Sequence, residues 1–263
     1  MITSLGFRTD LMLLQLEGSE VTERPDYVVV RTPANPTFWW GNYLLFRAPF
    51  APGDIDARVA AFEAEFPEAS HLTLGLDTTD GVVGAVDEVR AAGFEIETNT
   101  VMSATEVLPP ARPNAEVTIR QLRSDDDWFQ HLAISRTVNT MDVEGYQEFS
   151  ARRNDGYRRL IEGGHGAWFG AFDGDVLLSS LGLISDGGEV ARYQNVQTLE
   201  SARNRGLATT LVHHASQYGF GELKAKTLVM VADPDYLAIR IYRTLGFSDN
   251  EKQLQFTRQP QVP

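Results

Sequence analysis

The sequence contains no cysteine in 263 residues. Without thiols the chain can form no disulfide, no thiolate metal site and no cysteine nucleophile. It also has no run of eighteen apolar residues, so no membrane span is predicted. Residues 1–5 lack a basic start followed by an apolar core, and we therefore expect no secretion signal and a cytoplasmic protein. With 43% hydrophobic and 22% charged residues, the composition indicates a globular protein with one large domain or two small ones.

Positive charge is scarce as well. The chain has 23 Lys and Arg against 36 Asp and Glu, a net charge of −13, which argues against nucleic acid as a partner. Residues 1–113 carry 17 acids and 7 bases, whereas residues 114–263 carry 19 acids and 16 bases. A polyanionic ligand should therefore prefer the second half. The acidic surface also suits a cationic amine substrate, although acidity by itself usually serves solubility.

One segment, residues 195–212, has the pattern of a strand followed by a tight basic turn and a helix. Apolar residues recur at helical spacing from Leu207 onward. Gly206, just before them, permits backbone conformations closed to other residues and the close approach of a ligand. The free N–H groups of a helix start attract anions, and Arg203 and Arg205 add positive charge there. The segment therefore predicts a phosphate-binding turn.

The pattern Arg-x-x-Gly-x-Ala that begins at Arg203 resembles the pyrophosphate loop of the GCN5-related N-acetyltransferases (GNAT), which hold acetyl-coenzyme A. A later stretch, residues 238–247, resembles the second signature of that family, a helix that ends in Tyr-x-x-x-Gly-Phe. Tyr242 is its tyrosine. Both motifs stand in the family's order and at its spacing, and the resemblance covers roughly residues 116–258.

The resemblance implies a site for acetyl-coenzyme A. The backbones of Val196 and Thr198 would pair with the pantetheine arm, because the family's strand splays away from its neighbour there. Tyr242 would be the catalytic acid that protonates the coenzyme thiolate, and its alternative role is that of a packed aromatic. The residues implied to hold the pyrophosphate are Arg203, Asn204, Arg205, Gly206, Leu207, Ala208 and Thr209.

No general base follows from the sequence, and the five histidines form no metal set. Relatives with a base on this strand have a glutamate about where Arg192 or Tyr193 stands, and Glu189 lies just before them. Ordered water would serve equally well if the amine binds in its deprotonated form. Three further candidates fall between the first two helices, which cover the acceptor site in the family: Asp142, Glu144 and Tyr146.

The chain divides at a proline-rich stretch. Three prolines within residues 107–114 predict a stiff linker. After it, the order strand, helices, three antiparallel strands, helix, strand, helix, strand matches the acetyltransferase fold. We therefore expect an α+β protein with two tandem GNAT-like domains, in which a mixed, mostly antiparallel sheet is flanked by helices. The expected ranges are a shortened, degenerate copy at 1–106, a linker at 107–115 and a catalytic domain at 116–263.

The first copy is expected to be structural, since it lacks the phosphate motif. Pro52 removes an N–H from the corresponding turn, and Val89 stands at the counterpart of Tyr242. The predicted elements of this half are strands at 39–46, 72–77 and 95–104 and helices at 55–66 and 82–92.

The expected function is direct transfer of an acetyl group from acetyl-coenzyme A to a primary amine of a small molecule. Two alternatives stay open: a non-catalytic acyl-coenzyme A-binding or regulatory module, and transfer of a longer acyl group. The expected partner is the amine, with no nucleic acid and no membrane, and homo-oligomerisation is open.

Overall fold

The computed structural model describes residues 1–138, 146–235 and 238–259. The first half of the chain contains α1 (Leu5–Leu16), β1 (Glu20–Glu23), β2 (Tyr27–Arg31), a 3-10 turn (Trp39–Gly41), β3 (Tyr43–Phe46), α2 (Ile55–Glu65), β4 (Leu72–Leu76), α3 (Val86–Ala91) and β5 (Glu95–Ala104). The second half contains β6 (Thr118–Gln121), α4 (Asp125–Val138), α5 (Tyr146–Glu162), β7 (Gly166–Asp173), β8 (Val176–Ile184), β9 (Val190–Thr198), a 3-10 turn (Glu200–Ala202), α6 (Leu207–Gly221), β10 (Thr227–Ala232), α7 (Ala238–Thr244) and β11 (Ser248–Arg258).

These elements form two compact units. The first unit comprises Met1–Met102, Val231–Pro234 and the chain from Asp249 onward, and the second comprises Ser103–Met230 and Asp235–Ser248. Each unit combines a sheet with helices, so the α+β prediction is confirmed. The segment predicted as a linker lies within the second unit.

The first unit has the strand order β1-β2-β3-β4-β11-β5. Its central strands β3 and β4 are buried along their whole length because both faces of the sheet are covered there. Successive residues of β3 alternate between two cores. Leu44 and Phe46 belong to one, whereas Tyr43 and Leu45 belong to the other, which also contains Phe7 of α1.

The second unit has the strand order β10-β9-β8-β7-β6. Helix α6 packs against β7, β8 and β9, while α4 and α5 also contact this sheet. Gly219 lets α6 approach closely, since a Cβ at this position would lie 2.8 Å from the side chains of Leu183 and Leu228. Near α4 and α5, the buried ring of Trp168 contacts Trp128 and Tyr157.

The two units repeat one motif. In the first, the order is β3-α2-β4-α3, and β3 pairs with β4 in parallel. In the second, the order is β9-α6-β10-α7, and β9 pairs with β10 in parallel. The remaining β8–β9, β7–β8 and β6–β7 pairs are antiparallel. The internal repeat suggested by the sequence is therefore present in the structure.

The last strand corrects the predicted domain boundaries. The predicted second domain runs to residue 263, but β11 pairs with β4 of the first unit, with Leu254 opposite Leu76. Leu254 and Phe256 are buried in the first unit's core, where the Phe256 ring lies 5.0 Å from Phe50. Alternating hydrophobicity predicts a half-buried strand but does not say which sheet it joins.

The first half departs from prediction in other places. Trp39–Gly41 is a 3-10 turn, so the strand predicted from residue 39 begins only at Tyr43. The helix predicted at 82–92 begins later, at Val86, because Gly84 (φ +90°) packs its backbone against Phe50. Three elements lie where none is predicted: α1, β1 and β2.

Two further points concern the helices. The segment predicted to separate the first two helices of the second half, with Asp142 and Glu144, lies outside the described residues. No helix in the described ranges is long and apolar enough to cross a bilayer.

Candidate functional site

Strand β9 parts from β10 well before its own end. The two strands pair in parallel from Val190 to Arg192, whereas β9 continues to Thr198. Its other edge stays paired with β8, where Thr198 lies opposite Ser179. The segment with Val196 and Thr198 therefore extends beyond the pairing with β10, and both residues are half-buried. This is the splayed geometry that the sequence resemblance implies.

A β-bulge marks the separation. Asn195 and Val196 of β9 stand opposite a single residue of β8, Leu181. Asn195 has a left-handed φ of +46°, a conformation that asparagine tolerates better than most residues. A bulge bends its strand and changes the direction of its groups. The bend lies in the segment that would meet the pantetheine arm.

The turn after β9 ends in an open helix start. Asn204 (φ +62°) and Gly206 (φ +74°) are left-handed. Gly206 is the N-cap of α6 and has no side chain to occupy the helix donors. The first helical hydrogen bond runs from Thr210 N to Gly206 O at 3.1 Å. The N–H groups that precede it belong to Leu207, Ala208 and Thr209. Such a helix start attracts an anion through its donors and its dipole.

The turn is basic and tied to the segment before β6. Arg203, Asn204 and Arg205 are exposed. The Arg205 guanidinium forms an ion pair with Glu116 at 3.2 Å, an exposed contact of small energetic value. Asn114 Nδ2 donates to the Arg205 carbonyl at 2.9 Å. The structure thus gathers all seven predicted pyrophosphate residues on one turn and the helix start that follows it.

The comparison with family models matches part of the chain. Residues 128–247 match the model of the acetyltransferase (GNAT) family, so this segment is a GNAT domain. The match supports acyl transfer as the general activity. No curated protein matches the chain.

Solved structures share the fold over nearly the whole chain. A protein from Staphylococcus epidermidis, described as functionally unknown, superposes with a TM-score of 0.70 at 14% identity, over 92% of this chain and 95% of that one. A GCN5-related N-acetyltransferase from Kribbella flavida gives 0.65 at 17% identity, over 98% and 97%. A tandem GNAT protein from the clavulanic acid biosynthesis pathway gives 0.55 at 15% identity, over 98% and 95%. The tandem organisation expected from the sequence is consistent with this last neighbour.

Tyr242 is a buried residue of the GNAT domain, 6% exposed, on α7. Its ring lies 6.4 Å from that of Phe247. Tyr193 is a neighbour of Tyr242. The pKa of Tyr193 is raised, chiefly by burial, and the charge of Tyr242 adds to this shift. The Tyr193 hydroxyl is within 2.7 Å of Ser216 Oγ on α6. Tyr242 is therefore packed among aromatics, and its role toward the coenzyme stays a prediction.

A buried polar network, not predicted from the sequence, holds β9 between Val196 and Thr198. Gln197 Nε2 lies 2.9 Å from both His131 Nδ1 and Ser135 Oγ. Burial lowers the pKa of His131 to about 3, so its ring is neutral. An amide NH₂ only donates, so Nδ1 accepts and the ring proton is on Nε2. The available signal was the spacing of His131 and Ser135, four residues apart on one face of α4.

The candidate bases do not gather at the thioester site. Glu189 forms an exposed ion pair with Lys226. It precedes Val196 by seven residues, about 23 Å in an extended strand. Arg192 is buried, and Tyr146 is half-buried at the start of α5. The other two candidates lie outside the described residues: Asp142 and Glu144. No group of three or more metal-ligating side chains occurs within the described ranges.

The corresponding turn of the first unit is closed to anions. The Arg58 guanidinium hydrogen-bonds to the carbonyls of this turn, donating to Ala48 O at 3.0 Å and to Pro49 O at 2.7 Å. The Gly53 N–H donates to the Glu88 carboxylate at 2.7 Å. An incoming phosphate would therefore find the Gly53 donor already occupied and a carboxylate beside it, which supports a structural role for this unit.

Proposed function

We propose that the chain transfers an acetyl group from acetyl-coenzyme A to a primary amine of a small molecule by direct transfer. The observation that carries the proposal is the open start of α6, directly after a strand that leaves its neighbour. A coenzyme A thioester has a pyrophosphate for the first feature and two amides for the second. The GNAT match over residues 128–247 adds independent support.

The donor-binding residues fit these groups. The N–H groups of residues 207–209 and the cations Arg203 and Arg205 suit the pyrophosphate. Gly206 lets the backbone approach it, since a side chain would project from the helix start. The backbone of Val196 and Thr198 can take the pantetheine amides as a further strand would.

The proposed reaction needs few side chains. The amine nitrogen attacks the thioester carbonyl carbon, the carbon–sulfur bond breaks, and the thiolate gains a proton. Backbone N–H groups of β9 would polarise the carbonyl, and Tyr242 would protonate the thiolate. Water would receive the proton that the amine loses. Since the chain has no cysteine, no thiol can carry the acetyl group as an intermediate.

The donor is a cytoplasmic metabolite, so the proposal implies a cytoplasmic location.

A second candidate is a non-catalytic acyl-coenzyme A-binding module. The observation that favours it is the ion-paired position of Glu189, remote from the bulge, which leaves β9 without a carboxylate base at Val196. Such a module would bind the coenzyme and release no thiol.

The test is thiol release from acetyl-coenzyme A over a panel of amines, with propionyl and longer thioesters as parallel donors. Amine-dependent release, with the acetylated amine identified by mass spectrometry, is the expected result. Binding of acetyl-coenzyme A with no release for any amine would replace the enzyme by the binding module. Faster thiol release from a longer acyl-coenzyme A would show that the enzyme transfers a longer acyl group than acetyl.

A further inference from the structure

A cavity of about 860 Å³ adjoins the phosphate turn of the second unit. One wall is the turn itself, from Asn204 to Gly206, with Thr209 and Thr244 beside it. The other wall is the proline-rich segment of residues 108–116. The segment predicted to be only a linker thus faces the turn that would hold the pyrophosphate.

The segment is fixed at both ends. Leu108 N donates to Leu245 O at 2.9 Å, beside the end of α7. Asn114 N donates to Thr210 Oγ1 at 2.8 Å, on the first turn of α6. Between these points the Arg112 carbonyl lies so close to Gly206 that a Cβ there would be 2.9 Å from it. The wall is therefore held in place before any ligand binds.

The lining has the chemistry of a nucleotide site. Leu108 is 53% exposed, and prolines 109, 110 and 113 continue the apolar surface, which suits a flat base. Arg112 is exposed, and within the described ranges no carboxylate pairs with it. Arg205 already shares its charge with Glu116. Arg112 is thus the available cation on the linker wall.

We propose that this segment forms the adenosine subsite of the donor and that Arg112 binds its 3′-phosphate. The inference rests on the proposed function, because it needs a coenzyme A thioester on the turn. The helix start takes the pyrophosphate, and the only other anionic group of coenzyme A is the 3′-phosphate. The apolar wall takes the adenine, and the guanidinium beside it pairs with the phosphate.

The experiment compares coenzyme A with 3′-dephospho-coenzyme A by titration calorimetry. Wild-type protein should bind coenzyme A about 3- to 10-fold more tightly, the range for an exposed arginine–phosphate contact. Arg112→Ala should abolish this preference and leave the affinity for the dephospho compound unchanged. Arg90→Ala, an exposed arginine outside the cavity, removes the same charge and should keep the preference. Unfolding temperatures confirm that both variants are folded.

Three results overturn the inference. They are no wild-type preference for coenzyme A, a preference that survives Arg112→Ala, and an equal loss of affinity for both compounds in Arg112→Ala. Failure of the proposed function looks different: the wild-type protein would then bind neither compound.

Discussion

The replacement of Gly206 by aspartate, with asparagine as its control, tests the phosphate turn most directly. Both side chains tolerate a left-handed backbone better than other residues do, so both accept φ +74° at similar cost. Both also place a Cβ 2.9 Å from the Arg112 carbonyl. The two variants therefore share their strain and differ by one negative charge at the N-terminus of α6.

The size of the expected difference follows from Coulomb's law. Two unit charges about 5 Å apart interact by about 3 kcal/mol at an effective dielectric constant of 20 and by about 0.8 kcal/mol in water. Gly206 is half-buried and its neighbours on the turn are exposed, so the lower part of this range applies. We expect Gly206→Asp to bind coenzyme A about 5- to 30-fold more weakly than Gly206→Asn, a loss of about 1–2 kcal/mol.

Calorimetric titration of both folded variants at low and high salt measures this difference. It should shrink at high salt, because ions screen an exposed charge pair. Equal affinities for coenzyme A in the two variants at low salt would refute the reasoning, because a carboxylate beside a phosphate on this turn must repel it.

Three further predictions concern other parts of the chain. Tyr242→Phe should lower kcat about 10²- to 10⁴-fold with coenzyme A affinity unchanged, because the buried ring is kept and only the proton donor is lost; wild-type kcat under chemistry-limited conditions would reduce Tyr242 to a packing residue. The folded His131 ring takes up its second proton only below its pKa of about 3, whereas in the unfolded chain it does so below about 6.5, so stability falls as the pH falls. Urea unfolding should show about 1.4 kcal/mol per pH unit from this group between pH 6 and 4, and His131→Asn should lose that slope; identical slopes would contradict the buried neutral ring. Arg58→Met should lower the unfolding free energy by about 2–4 kcal/mol, because it leaves two carbonyls without their hydrogen-bond donor. Coenzyme A should still bind once per chain, and a second bound coenzyme would disprove the structural role of the first unit.

Local patterns predicted the glycine turn before α6 well. The helical period after Gly206, the glycine and the two arginines all act within ten residues, so the turn and the start of α6 follow from the sequence. Turn signals also flank β8, Val176–Ile184, which is one of the three antiparallel strands that the sequence predicts.

Features that depend on distant contacts were not predictable. β11 has the alternation of any half-buried strand, and only the core around Phe50 and Leu76 decides its place. The link between His131 and Gln197 spans 66 residues, and the spacing of His131 and Ser135 on α4 does not identify Gln197 as their partner. The role of residues 108–116 as a cavity wall requires α6 and α7 to be in position first.

The comparison of the two turns shows which part of the phosphate motif carries information. Both units have a left-handed glycine just before the helix, Gly53 with φ +84° and Gly206 with φ +74°. Only the second leaves its donors open, because in the first the Gly53 N–H is taken by Glu88 and the neighbouring carbonyls by Arg58. A glycine therefore supplies the backbone shape, while the charges around it decide whether an anion or a cation is held. In the second unit the arginines before the glycine are exposed, whereas in the first an arginine within the helix fills the turn.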